Sequence, residues 1–165
     1  MTAQLFSGRG RRSVAALGAV SAGLLLLSAC DKPTPLATVT VGSSSVSSEA
    51  ACTKDKNADQ LPAEKVQECI NSLKAAKSIE YARGDTLRLG IEPTALEHGN
   101  QWQAVLDGQP ITEPSDNTYR SFPGADVFAT GGQGQAPESK KLAFVQLSKD
   151  GKPLSIWSFT LKLKK

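Results

Sequence analysis

Leu142-Ala-Phe-Val-Gln-Leu-Ser148 and Leu154-Ser-Ile-Trp-Ser-Phe-Thr-Leu-Lys-Leu163, with Asp150-Gly151 between them, read as the two arms of a β-hairpin. In the second arm Trp157, Phe159, Leu161 and Leu163 fall on one face, and Ser158, Thr160 and Lys162 on the other. A period of two residues is the mark of a strand with one apolar face. Working outward, the same period recurs. Leu87, Leu89 and Ile91 alternate with Thr86, Arg88 and Gly90 after a Gly84-Asp85 turn. Trp102, Ala104 and Leu106 alternate with Gln101 and Gln103, and Asp107-Gly108 is a strong hairpin signal leading into a strand over 109–113. Thr38 to Val41 is a β-branched run, and a strand over 44–52 follows a turn at Gly42. Residues 118–122 and 126–129 are shorter strand candidates, and Gly131 to Gln135 is a Gly/Gln-rich loop.

One segment breaks the period. Val66, Cys69, Ile70 and Leu73 stand at i, i+3, i+4 and i+7, which predicts a one-faced helix from Pro62 to Leu73. About eight or nine short strands with turns every 8 to 12 residues, and one short helix, predict a mainly-β fold. The expected architecture is an antiparallel immunoglobulin-like β-sandwich over residues 37–165. Trp102 and Trp157 lie on apolar strand faces and are expected in its core.

The N-terminal segment carries the clearest functional signal. Arg9, Arg11 and Arg12 precede the apolar run from Val14 to Leu27, which ends in Leu27-Ser28-Ala29-Cys30. A spanning helix needs about 20 apolar residues, and this run is shorter. A short apolar core behind a basic start is an export signal. Ser28-Ala29 alone would also suit an ordinary secretory signal. The Leu-Ser-Ala-Cys ending selects a lipoprotein signal over residues 1–29, with cleavage before Cys30 and a diacylglycerol on its thiol. One acyl chain anchors only marginally, at about 0.8 kcal/mol per buried methylene, but a diacylglycerol carries two. Arg11-Arg12 leaves twin-arginine export open beside the general secretory route, although Ser13-Val14-Ala15 fits that motif poorly. Residues 30–36, with Pro33 and Pro35, form a short extended tether reaching on the order of 20 Å at about 3.1 Å per residue. The expected location is extracytoplasmic, at the outer face of the cell membrane.

Without the signal, the 19 Lys and Arg residues fall by three and balance the 16 Asp and Glu. The +3 formal charge of the whole chain therefore belongs to the signal, and no basic excess argues for nucleic acid. Lys162, Lys164 and Lys165 read as a solvated strand end. With Cys30 lipidated, Cys52 and Cys69 form an even pair, and in an extracytoplasmic domain such a pair reads as one disulfide.

Four stretches carry a family resemblance. They are Cys30-Asp-Lys-Pro-Thr-Pro-Leu-Ala-Thr-Val-Thr-Val-Gly42, Arg83-Gly-Asp-Thr-Leu-Arg-Leu-Gly90, Asp107-Gly-Gln-Pro110 and Thr118-Tyr-Arg-Ser-Phe-Pro123. Together they resemble an uncharacterised family of actinobacterial secreted lipoproteins, a domain of unknown function, over nearly all of the mature chain. The resemblance implies an envelope lipoprotein of a Gram-positive type cell and carries over no catalytic residue.

Catalytic sets are sparse. His98 is the single histidine, in a polar loop with Glu97, Gly99 and Asn100. There is no G-x-S-x-G or S-x-x-K serine motif, and no P-loop or H-E-x-x-H. A zinc site of the N/S type lacks ligands, and an oxygen-rich calcium site on the carboxylates is open but has no supporting motif; no metal and no cofactor are expected. Asp107, Glu113, Asp126 and Asp150 are the remaining candidates for acid–base work on a glycan, but acidic residues near turns commonly serve the turn. Tyr119 and Phe122 bracket Arg120 beside Pro123, and these three are a candidate ligand rim.

Three functions remain open. The first is a non-enzymatic, lipid-anchored binding or structural module, held to the membrane through Cys30 and facing an unidentified envelope protein or cell-wall ligand. The second is a small ligand-binding accessory lipoprotein of a membrane complex. The third is a carboxylate-dependent cell-wall hydrolase. A deep aromatic pocket would favour the second, a carboxyl pair about 5 to 9.5 Å apart in a cleft the third, and a filled sandwich the first.

Overall fold

The structure is a computed structural model and describes residues 34–71, 76–129 and 135–165. Its strands are β1 (Ala37–Val41), β2 (Ser44–Ser48), β3 (Cys52–Thr53), β4 (Lys77–Tyr81), β5 (Leu87–Ile91), β6 (Gln101–Leu106), β7 (Gln109–Pro110), β8 (Tyr119–Phe122), β9 (Ser139–Leu147) and β10 (Pro153–Leu163). Helix α1 spans Ala63–Asn71, and a 3-10 segment spans Pro93–Gly99. One sheet runs β2-β1-β5-β8. The other runs β3-β10-β9-β6-β7, with β4 also on β10. The fold is the antiparallel immunoglobulin-like sandwich, with one parallel pairing, β4 on β10.

The hairpin at 139–163 is the centre of the second sheet, and both its faces are buried. On the inner face, Leu142 and Phe144 of β9 and Trp157, Phe159 and Leu161 of β10 meet Val39, Leu87 and Leu89 of the first sheet. On the outer face, Ala143, Val145 and Ile156 pack with Cys69 and Ile70 of α1. A strand buried on both faces loses its polar alternation. That is why 142–147 reads as a continuous apolar run broken only by Gln146. The Gln146 amide is itself buried and donates to the Ala95 carbonyl of the 3-10 segment.

The two tryptophans also hold connecting chain. The Trp157 indole N–H donates to the Pro35 carbonyl at 2.9 Å, and that of Trp102 to the Asn117 carbonyl at 2.6 Å. Both rings are almost wholly buried, as expected, and each spends its only polar atom on a segment that approaches the sandwich. Pro35 is thus already held by the domain, and the Leu36 N–H donates to Glu92 Oε2 at 3.0 Å. Docking begins inside the segment expected as free tether.

Several local expectations need correction. The strand expected over 44–52 is two strands in different sheets, because the chain crosses from one sheet to the other after Ser48. The strand after Asp107-Gly108 spans only Gln109–Pro110; the Ile111 N–H still reaches the Ala104 carbonyl at 2.8 Å, but the Ala104 N–H goes to Thr112 Oγ1 at 2.8 Å, so the regular ladder ends there. Residues 126–129 form a turn, with Asp126 Oδ1 accepting the Phe128 N–H at 3.1 Å. The polar loop around His98 contains the 3-10 segment, and His98 itself sits at φ 65°. Residues 1–33, including Cys30, and Leu73 and Gly131 to Gly134 lie outside the described residues.

Cys52 and Cys69 form the expected disulfide, joining β3 to α1 across 17 residues of sequence. Ser158 Oγ donates to the Cys69 carbonyl at 2.9 Å, so the helix end is tied to β10 as well. Beyond α1 the chain returns to the same edge of β10 as β4.

Tyr81 closes this edge. Its hydroxyl donates to the Ala125 carbonyl and lies 3.3 Å from that of Asp85. Burial raises its pKa above the ordinary tyrosine value, with Asp126 and Asp85 acting in the same direction. The unfolded chain releases this proton near pH 10, and the folded chain holds it longer. The stabilisation is therefore complete below about pH 10 and is lost as pH rises above it. Thermal melts of wild type should lose more between pH 9 and 11 than melts of Tyr81→Phe. Equal losses would show that this phenol does not titrate with folding.

Candidate functional site

The residues expected as a ligand rim lie on β8, an edge strand, and alternation divides them. Arg120 and Phe122 stand opposite the buried Leu89 and Leu87 of β5, so they lie on the core side. Phe122 packs against the core, and Arg120 Nη2 donates to the Glu113 carbonyl at 3.4 Å. Tyr119 faces the other way, opposite Gly90, and is 52% exposed. The three therefore do not line one concavity. Tyr119 belongs instead to the outer face of the first sheet, with Ser121, Arg88 and two hydroxyl pairs. Those pairs are Thr38 with Ser47 at 2.8 Å and Thr40 with Ser45 at 2.9 Å.

The clefts gather elsewhere. β1 leads from Ala37, near the Pro35–Trp157 bond, to Val41 and Gly42 at the opposite end of the sandwich. There three shallow clefts adjoin. One of about 530 Å³ is bordered by Glu80, Glu138, Lys162 and Lys164. The next, of about 320 Å³, shares Glu138, Leu163 and Lys165 with it and adds Arg83. The third, of about 250 Å³, runs from Glu80 and Lys164 to Gly42 and Asp85. None of these three is lined by an aromatic ring.

The charges here are mixed and wet. Lys165 Nζ lies 3.1 Å from Glu138 Oε1, and Arg83 Nη1 lies 3.1 Å from Asp126 Oδ2, with all four side chains substantially exposed. Such exposed pairs contribute about 0 to 1 kcal/mol each. They suit reversible recognition of a polar, charged partner better than chemistry that needs water excluded. Lys162 and Lys164, read from sequence as a solvated strand end, border these clefts. The pairing of β4 with β10 brings Glu80 beside Lys162, and that pairing has no local sequence signal.

Of the four acidic residues considered for catalysis, Asp107 and Asp126 have their carboxylates engaged in structure, while Asp150 and Glu113 are bonded through the backbone. Asp107 Oδ1 accepts the Lys141 N–H at 2.8 Å, and its Oδ2 lies 3.7 Å from Lys140 Nζ. Asp126 caps its own turn and pairs with Arg83. The Asp150 N–H bonds Ser148 Oγ at 3.2 Å within the β9–β10 turn. The Glu113 carbonyl accepts from Arg120. Among the described residues, no three His, Cys, Asp or Glu side chains gather as a metal site. Nor is any described helix long and apolar enough to cross a membrane.

No family model matches the chain, and no curated protein sequence matches it. Solved structures similar to this chain include the following two. The fibronectin(III)-like modules of CbhA from Clostridium thermocellum align with 8% identity and a TM-score of 0.37, over 56% of this chain and 92% of that one. The extracellular domain of BT4673 from B. thetaiotaomicron aligns with 13% identity and a TM-score of 0.41, over 81% of this chain. This chain spans only 16% of that protein's length.

Proposed function

We propose that this chain is a lipid-anchored, non-enzymatic module of a bacterial cell envelope, acting by binding or by structure rather than by catalysis. The filled sandwich carries the reading. Its interior is occupied by Trp102, Phe144, Phe159 and their neighbours, and its outer β9–β10 face is covered by α1. The three clefts described above are open, charged and at one end. The anchor rests on Leu27-Ser28-Ala29-Cys30, and the disulfide supports an oxidising, extracytoplasmic compartment. The resemblance to actinobacterial secreted lipoproteins points the same way, and we place the chain with them.

Labelling expressing cells with a radioactive fatty acid tests the anchor. Wild type should take label and stay with the membrane fraction, whereas Cys30→Ala should lose both. Equal labelling of the two would remove the anchor from this account. Hydrolysis of cell-wall polymer by the purified protein, lost in a folded single Asp or Glu variant, would overturn the non-enzymatic reading.

A further inference from the structure

A sheet edge offers unpaired backbone groups to any passing strand, and proteins ordinarily blunt such edges with proline, charge, bulges or brevity. Three of the four edges here are blunted. β7 is two residues long and ends in Pro110. β8 turns Arg120 toward the core side and is followed by Pro123. The far side of β10 is closed by the two-residue β3 and by β4, which carries Lys77 and Glu80.

β2 has none of these devices. Ser44-Ser45-Val46-Ser47-Ser48 contains no proline and no charge, and it pairs with β1 in unbroken register. The turn before it is Gly42-Ser43, with Gly42 at φ 56° and Ser43 outside the left-handed region, as a type II′ hairpin requires. A two-residue turn makes Val41 and Ser44 a hydrogen-bonded pair, and the pairs alternate from there. Ser45 and Ser47 are therefore the residues whose N–H and C=O point away from β1. The close approach of Thr40 to Ser45 and of Thr38 to Ser47 through their hydroxyls fits the narrower, non-bonded pairs.

The five residues of β2 read the same in both directions. Laid antiparallel against itself, the strand sets Ser45 opposite Ser47 twice, with Val46 opposite Val46 at the centre. All four free backbone N–H and C=O groups on each strand are then used, giving four hydrogen bonds. A shift by two residues places Ser45 opposite Ser45, or Ser47 opposite Ser47, and leaves the other free serine without its match. Such self-complementarity is what an isologous twofold interface demands. The half-buried Val46 side chains would also cover each other.

We propose that β2 is the edge through which two copies of this chain pair, antiparallel about a twofold axis at Val46, joining two four-stranded sheets into one of eight. One strand pair is smaller than the roughly 1,200 Å² of a stable interface. The pairing is therefore reversible and favoured where copies are concentrated on one surface.

Cysteine crosslinking of the full chain, expressed in a bacterial host, tests this. Non-bonded antiparallel partners have Cα atoms about 4.5 Å apart, inside the disulfide range of about 4.4 to 6.8 Å. Under mild oxidation Val46→Cys should give a dimer band several-fold stronger than Ser121→Cys, although Ser121, on β8, is the more exposed of the two positions. Adding Ser45→Pro removes an outward N–H while sparing the β1–β2 ladder, and it should abolish the excess. Adding Ser45→Ala, which keeps that N–H, should leave it in place. Val46→Cys linking no more than Ser121→Cys would overturn the proposal. So would a crosslinked product whose mass is not twice the chain, which would assign the edge to a different protein.

Discussion

Trp157→Ala should lower the stability of the domain by about 3 to 5 kcal/mol, in the range for deleting a large buried aromatic. The ring is 1% exposed and pairs across strands with Phe144, at the centre of the inner face. Phe144 packs edge-on to Phe159 with centroids 5.4 Å apart and tilted against Trp102 at 5.0 Å, so a void at 157 would open beside this aromatic row. The substitution also leaves the Pro35 carbonyl without its donor. Trp157→Phe goes part of the way to separating the two effects, because it keeps a large aromatic ring in the core while losing the N–H with the rest of the five-membered ring. It should cost about 1 to 2 kcal/mol. Urea unfolding of residues 34–165, a unit with its own core, reads both values. A Trp157→Ala loss below 1 kcal/mol would mean that the core is not centred on this ring. Domains of this kind have about 5 to 15 kcal/mol in total, so the larger loss would leave the fold marginal.

Removing the disulfide with paired Cys52→Ala and Cys69→Ala substitutions should cost about 2 to 5 kcal/mol. The bridge closes a loop of 17 residues, for which restriction of the unfolded chain contributes roughly 3 kcal/mol on the entropy model. The damage should be local. β3 meets β10 through only two residue pairs, Ser155 with Thr53 and Ile156 with Cys52, so this strand depends on the bridge most. β4 is held to β10 by five pairs of its own and should stay. Hydrogen exchange on the double-alanine protein should therefore quicken at Ala51, Lys54 and α1, while amides in β9 keep their protection. Uniform loss across both sheets would contradict this division.

What could be read from sequence followed distance along the chain. Period-two alternation located the arms of the central hairpin, β5 and β6, and the i, i+3, i+4 spacing of Val66, Cys69 and Ile70 located α1. Turn chemistry was equally legible at Asp107-Gly108, where φ values of 47° and 82° match the expected hairpin turn. Sheet membership was not legible. Ser44 to Ser48 and Cys52 to Thr53 look like one strand because the crossing between sheets takes only three residues, with no proline or glycine to mark it. The parallel seat of β4 on β10 joins residues about 80 apart in sequence, and no local pattern encodes such a partner. The candidate site suffered from the same gap. Its charges come from β4, from the segment before β9 and from the end of β10, and only the sheet order assembles them.

The position of β1 has a mechanical consequence. The chain arrives at Ala37 and immediately becomes an inner strand, bonded along five residues to β2 on one flank and to β5 on the other. A tension applied through Thr34 first strains the Pro35–Trp157 bond and then acts along the axis of β1. Antiparallel hydrogen bonds lie across that axis, so both ladders are loaded in shear and share the force. Peeling them one at a time would require a pull from the side. A domain tugged by its N-terminal leader thus meets the load in its strongest direction, and its lifetime under tension is set by its unfolding barrier.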